Sequence, residues 1–224
     1  MQIFPDAVAE CQDGGLRERK KRRTRRAIAD AALDLFDRQG YQATTIAQIA
    51  EAADVSPRTV SAYFPAKEEL AFADYADWAV RLERRLGDRP DGQTAPETLR
   101  DWIIEMLPEL VEREAQITVR RRLVASDPAL RAYQDGAIAR SRRLLQAAIA
   151  DDLGAAPDAL EARMAAAATS AMLEVLDRHG QEEARDDADL SRRRVEALER
   201  LDRAVAFVAA GIRALQESDR GTSA

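Results

Sequence analysis

The chain has one cysteine, Cys11, and one histidine, His179. A single thiol excludes an intramolecular disulfide and any cysteine cluster, and a single imidazole excludes a histidine-rich metal site. Aromatic residues make up only 5% of the chain, and ten glycines and eight prolines in 224 residues are too few for a collagen-like or linker-rich architecture. No apolar run approaches the roughly 18 residues that would argue for a membrane-spanning helix. Residues 1–16 lack the basic start and apolar stretch of a secretory signal, so a cytoplasmic location is expected. G-x-S-x-G, a phosphate loop and a His/Cys/Asp cluster are all missing, so no catalytic residue, cofactor or metal is expected. The expectation is a protein that is not an enzyme.

What remains is 46% hydrophobic and 33% charged, enough to bury a core. The net charge of −6 is unevenly spread: residues 1–16 carry −3, residues 17–70 carry +3 and residues 71–224 carry −6. A basic N-terminal third on an acidic remainder points to a polyanion partner at one end only.

Apolar residues recur at spacings of three and four, with no sustained alternation, so the reading is all-α. Residues 1–16 read as a flexible tail. A first helix is expected over about 24–39, with Ile28, Ala31, Ala32, Leu35 and Phe36 on one face. Gly40 then stands where a left-handed residue ends a helix, and Tyr41 can fold back on Phe36. Thr45 and Gln48 have capping-box spacing at the start of a second helix, whose buried face is Ile46, Ile49, Ala50 and Ala53. After Asp54-Val55, Ser56 reads as a new N-cap with Pro57 in the first helical position, and Val55 and Val60 have the spacing of a hydrophobic staple. Helix, short turn, helix over about 45–64 is a helix-turn-helix unit.

With Val60 and Phe64 turned inward at 100° per residue, Arg58 and Ala62 point outward, flanked by Thr59 and Ser61. A short helix offering Arg, Thr and Ser outward fits the DNA major groove. Arg58 can fork onto a guanine, Thr59 and Ser61 can bond bases or phosphates, and Pro57 and Ala62 can give apolar contact. Thr44 and Thr45 at the second helix N-terminus suit a phosphate, and Tyr63 and Lys67 can reach the same strand. Ahead lies RERKKRRTRR, residues 17–26, of which eight are basic. A flexible arm of this kind, through Arg22, Arg23, Arg25 and Arg26, can track phosphates; a solvated run without a partner is the alternative.

Residues 23–70 resemble the DNA-binding domain of the TetR family of transcriptional repressors. The resemblance runs through Phe36, Gly40, Thr44-Thr45, Ile49-Ala50, Ala53, Val55-Ser56, Thr59, Tyr63-Phe64 and Lys67 to Leu70. It departs at Asp54, where glycine is usual, at Ser61 and Ala62, where aromatics are common, and at Ala66, where a capping serine is common. The resemblance implies a DNA-binding domain over residues 17–70 and a larger helical effector-binding and dimerisation domain over 71–224. It also implies a homodimer on a near-palindromic operator that a small molecule releases. An effector-free DNA-binding protein and an activator stay open.

In the larger part, helices are expected at about 67–86, 97–113, 116–126, 128–153, 158–179 and 190–216, with Pro108 kinking or splitting one of them. Residues 181–189 read as an acidic loop, and His179 before Gly180 reads as a helix-end cap. Leu198, Leu201, Val205, Val208 and Ile212 form a coiled-coil-like seam. With Leu160, Met164, Ala168 and Ala171 on the preceding helix they match the family's dimer interface; the alternative is that both stripes face their own core. Trp78, Trp102, Met106, Leu110, Leu123, Tyr133 and Leu145 are candidates for the effector pocket. The arginine runs 120–122 and 142–143 can meet an anionic head group or face solvent.

Overall fold

A computed structural model describes residues 15–183 and 190–222, with side chains described for all of these except Glu18, 181–194 and 218–222. Cys11 and the acidic stretch 184–189 therefore lie outside the described residues. Among the described residues there are nine α-helices and no strand: α1 (Leu16–Gln39), α2 (Ile46–Ala52), α3 (Pro57–Tyr63), α4 (Ala73–Gly87), α5 (Ala95–Glu112), α6 (Glu114–Ser126), α7 (Pro128–Leu153), α8 (Leu160–Glu183) and α9 (Leu190–Thr222). A 3-10 turn, Lys67–Leu70, separates α3 from α4.

Several boundaries differ from the sequence reading. The basic run is helical: α1 begins at Leu16, about two turns before the expected start. The single long helix expected from Lys67 is split, because Ala66 offers no side-chain cap and the chain closes only a 3-10 turn before α4. Pro108 lies inside α5 without ending it, and the break falls at Arg113. His179 and Gly180 lie within α8, which runs on to Glu183, so neither ends the helix there.

The chain forms two compact units, one comprising residues 1–74 and 113–134, the other 75–112 and 135–224. The first unit thus takes in α6 and the start of α7 besides the helix-turn-helix. The physical reason is a buried ion network in the first unit. Arg120 Nη1 lies 2.7 Å from Asp74 Oδ1, and Arg113 lies 3.5 Å from both Asp74 and Asp30. Removing one partner of such a buried set leaves an uncompensated charge and costs about 3–5 kcal/mol. α6 is thus fastened to α1 and to the residues around Asp74.

The core of the second unit is built by α4, α5, α7, α8 and α9 around Leu82, Leu99, Leu145, Ile149, Val208 and Ile212. Leu201, Val205, Val208 and Ile212 are between 1% and 6% exposed inside their own chain. These four residues of the α9 seam therefore pack within their own chain, the alternative that the stripe left open, while Leu198 is half-buried. A regular apolar stripe states that a helix buries one face, not whose face it meets. The α8 residues Leu160 and Met164, by contrast, are 61% and 63% exposed, and Ala168 and Ala171 are exposed beside them.

Candidate nucleic-acid interface

The segment between α2 and α3 is shaped by side chains that cap backbone. Thr45 Oγ1 accepts the Gln48 backbone N–H at 3.2 Å, and Gln48 Oε1 accepts the Thr45 backbone N–H at 2.8 Å, which completes a capping box. Asp54 takes φ +53°, the left-handed conformation that Asp tolerates better than most residues. Ser56 caps α3 by accepting the Thr59 N–H at 3.0 Å, with Pro57 just inside the helix, where its missing N–H leaves nothing unsatisfied. Val60 and Phe64 are buried and fix the roll of α3. That roll leaves Pro57, Arg58, Ser61 and Ala62 exposed, with Thr59 and Tyr63 half-buried. The Arg58 and Ser61 side chains make no hydrogen bond or ion pair with another described residue. Thr59 is partly committed, its hydroxyl 2.8 Å from that of Ser56.

Three residues expected on DNA are used inside the fold instead. Arg25 donates from Nη1 to the Tyr63 carbonyl at 2.8 Å and from Nη2 to the Ala73 carbonyl at 3.3 Å, with its guanidinium 4.3 Å from the centre of the Phe64 ring. It therefore holds the C-terminal end of α3. Lys67 donates to the Tyr41 carbonyl at 2.6 Å and lies 4.3 Å from the Tyr41 ring centre. Burial holds the Lys67 ammonium below its ordinary value, only partly offset by Glu68 and Asp127. Thr44 is 2% exposed and donates its hydroxyl to the Gly40 carbonyl at 2.8 Å. A free lysine, arginine or threonine would suit a phosphate, but each of these gives at least one donor to a carbonyl, the most distant 48 residues away. Thr45 is exposed, although its hydroxyl serves the capping box. Arg22 and Arg23 are exposed, and Arg26 forms a loose pair with Asp30 at 3.9 Å.

The turn before α2 is held from both sides. Phe36 and Tyr41 pack edge to face at 5.1 Å across Gly40, whose φ of +88° only glycine adopts readily. Burial pushes the Tyr41 phenol well above its ordinary value, with Glu68 adding to the effect. Gln42 donates to Asp127 Oδ2 at 2.6 Å, while Asp127 Oδ1 accepts the N–H groups of Ala129 and Leu130 and caps α7. Burial alone would raise the Asp127 carboxyl, but these three donors hold it below its ordinary value of 3.8. The sequence reading placed only a helix boundary between 126 and 128; the aspartate before a helix-initiating proline was the signal that could have found this cap.

The expected effector residues do not share one unit. Leu123 and Tyr133 belong with the first unit, where Tyr133 stacks on Phe72 at 5.1 Å. Trp78, Trp102, Met106, Leu110 and Leu145 belong to the second. There Leu145 is 3% exposed within the core, and Trp78 donates its indole N–H to Glu109 at 3.2 Å. The Trp102 indole N–H is buried with no acceptor. A cleft of about 750 Å³ in this unit is lined instead by the 90–93 loop and by Arg85, Glu97, Arg100, Asp101, Asp202 and Arg213. None of the seven expected pocket residues lines it. Arg120 is buried against Asp74, Arg122 pairs with Asp37 at 2.8 Å, and Arg142 and Arg143 are exposed.

Among the described residues no group of three or more His, Cys, Asp or Glu is placed to hold a metal, and no helix is long and apolar enough to cross a membrane.

Two family models match the chain. One, described as bacterial regulatory proteins of the tetR family, covers residues 28–73; the other, described as the MftR C-terminal domain, covers residues 93–212. The transcriptional regulator TcmR of Streptomyces glaucescens is 46% identical over 79 residues, 35% of either chain. The transcriptional repressor KstR of Rhodococcus jostii is 30% identical over 112 residues, 50% of this chain and 52% of KstR. These matches span only about a third to a half of those relatives' lengths. The solved complex of SmeT with triclosan superposes with a TM-score of 0.58 at 25% identity, covering 83% of this chain and 91% of SmeT.

Proposed function

Because the chain belongs to the TetR family of transcriptional regulators, we propose that it is a repressor that reads an operator through α3 and leaves it when a small, partly hydrophobic molecule binds the second unit. The observation that carries the reading is the split face of α3. Val60 and Phe64 are buried, while Arg58, Ser61 and Ala62 stand exposed on a short helix capped at its N-terminus. Arg58 then reads base edges, assisted by Ser61 and Thr59, and Pro57 and Ala62 give apolar contact.

The operating form in this proposal is a homodimer joined through α8 and α9. Leu160, Met164 and Val175 of α8 are each more than 60% exposed, and Ala167, Ala168 and Ala171 lie between them on the same face. On α9 the outward face is Phe207, 76% exposed, with Ala210 and Ala214, opposite the buried Leu201–Ile212 side. Small residues around a few large anchors let helices approach closely, and a two-fold dimer places two α3 helices on a near-palindromic site.

SmeT was solved with triclosan, which supports a small-molecule role for this fold. Here Trp78, Trp102, Met106 and Leu110 on α4 and α5 are the proposed contacts, and the unpartnered Trp102 indole N–H is a donor that a ligand's acceptor would satisfy. The chain's only two tryptophans are both in this set, so intrinsic fluorescence reports directly on binding.

The test is selection of a duplex from a random pool, followed by binding of Arg58→Ala to the selected and scrambled duplexes. Arg58→Ala is expected to cost about 1–3 kcal/mol on the selected duplex and much less on the scrambled one. Equal losses on both would make Arg58 a phosphate contact. A compound that shifts tryptophan fluorescence yet leaves operator affinity unchanged would favour a regulator without that effector response.

A further inference from the structure

We propose that the N-terminal turns of α1 form a helical arm whose arginine face lies on phosphates flanking each half-site, and that DNA is what keeps these turns helical. The proposal rests on the DNA-binding reading above. α1 is one continuous helix from Leu16 to Gln39, yet its first buried residue is Ile28. Arg17, Arg19, Lys20, Lys21, Arg22 and Arg23 are all exposed, and none makes an ion pair or hydrogen bond with another described side chain.

Apart from the single Glu18, which suits the first turn, two features weigh against such a helix. Arg17–Lys21, Arg19–Arg23 and Arg19–Arg22 are like charges three or four residues apart, which destabilise a helix. The positive end of the helix dipole is also at Leu16, where cations are repelled, and Gly15 supplies no side-chain cap. A polyanion reverses both effects. Eight helical residues span about 12 Å, which is three to four base pairs of duplex.

Helical geometry also sorts the charges. Arg19, Arg22 and Arg23 share a face at i, i+3 and i+4, and Arg26 continues it at i+7. Arg17, Lys20 and Lys21 lie on the opposite face. A rigid helix therefore spends one set on phosphate and leaves the other in solvent, whereas a flexible tail spends all six alike.

Two triple variants of the full-length protein separate these cases: Arg19→Gln with Arg22→Gln and Arg23→Gln, and Arg17→Gln with Lys20→Gln and Lys21→Gln. Binding is measured across a salt series on a 40-base-pair random-sequence duplex. The first triple is expected to reduce the salt slope by about 3 units for each arm, the second by less than about 1. Circular dichroism at 222 nm should gain helix on adding the duplex to wild type and gain less in the first triple. Equal effects from the two triples, or no effect from either, would overturn the helical arm. The underlying reading fails separately. If wild type selects no duplex from a random pool, DNA binding itself is wrong; if it does select one and the first triple leaves the slope intact, only the arm is wrong.

Discussion

The guanidinium carbon of Arg25 lies over Phe64, 4.3 Å from the ring centre, while the same group donates to the carbonyl of Tyr63 beside it. The last turn of α3 is thus held by a residue 38 positions earlier in the chain. An exposed arginine in a basic run would be a phosphate contact; this one sets the position of the helix that carries Arg58.

Arg25→Ala should therefore destabilise the protein by about 1–3 kcal/mol through loss of the charged hydrogen bonds and the ring contact. Affinity should fall on selected and scrambled duplexes alike, with the salt slope unchanged. A slope reduced by about one unit in a salt series would return Arg25 to the DNA backbone.

Lys67 is a similar case. Its ammonium serves the Tyr41 carbonyl, so Lys67→Met should lower the thermal midpoint and weaken binding only through that loss of order. The cost is about 1.5–3 kcal/mol, the usual range for a hydrogen bond to a charged group. Thermal unfolding combined with the salt series checks it, and an unchanged midpoint with a flatter slope would contradict the structural role.

The two faces of α9 predict opposite phenotypes. Phe207→Arg places a charge on an exposed face and should yield a folded monomer with reduced operator affinity. Leu201→Arg buries a charge in the protomer's own core and should cost more than about 4 kcal/mol, lowering soluble yield. Light scattering and thermal unfolding separate them. A dimeric Phe207→Arg would remove α9 from the interface.

Acid should loosen the joint between the α1–α2 turn and α7. The Asp127 carboxyl is depressed in the folded chain, so its contribution to stability is present above its ordinary value of 3.8 and is lost as pH falls through the lower folded value. Asp127→Asn keeps an N-cap oxygen but does not titrate. Its urea midpoint should fall less than that of wild type between pH 7 and pH 3. An identical fall in both would remove Asp127 from the acid response.

The sequence by itself determined that the chain is helical, the helix-turn-helix and the outward residues of α3, but not where α1 begins or that a 3-10 turn precedes α4. What it determined follows from signals within a few positions: the Thr45–Gln48 box, Ser56-Pro57, the left-handed Asp54, and the three-and-four spacing of Val60 and Phe64. Caps and amphipathic stripes act over one or two turns, so they are legible in a local window. Tertiary structure alone decided which of several chemically suitable side chains stay free. Arg25, Lys67 and Thr44 look like phosphate contacts locally, but carbonyls and rings brought up by the fold occupy the first two, and burial against Gly40 and Gln39 removes the third. The α9 stripe was visible as Leu201, Val205, Val208 and Ile212, yet only packing assigned it to the protomer's own core and left Phe207 outside. Periodicity fixes that a helix has an apolar side; which partner covers that side depends on contacts distant in sequence, and no local spacing encodes them.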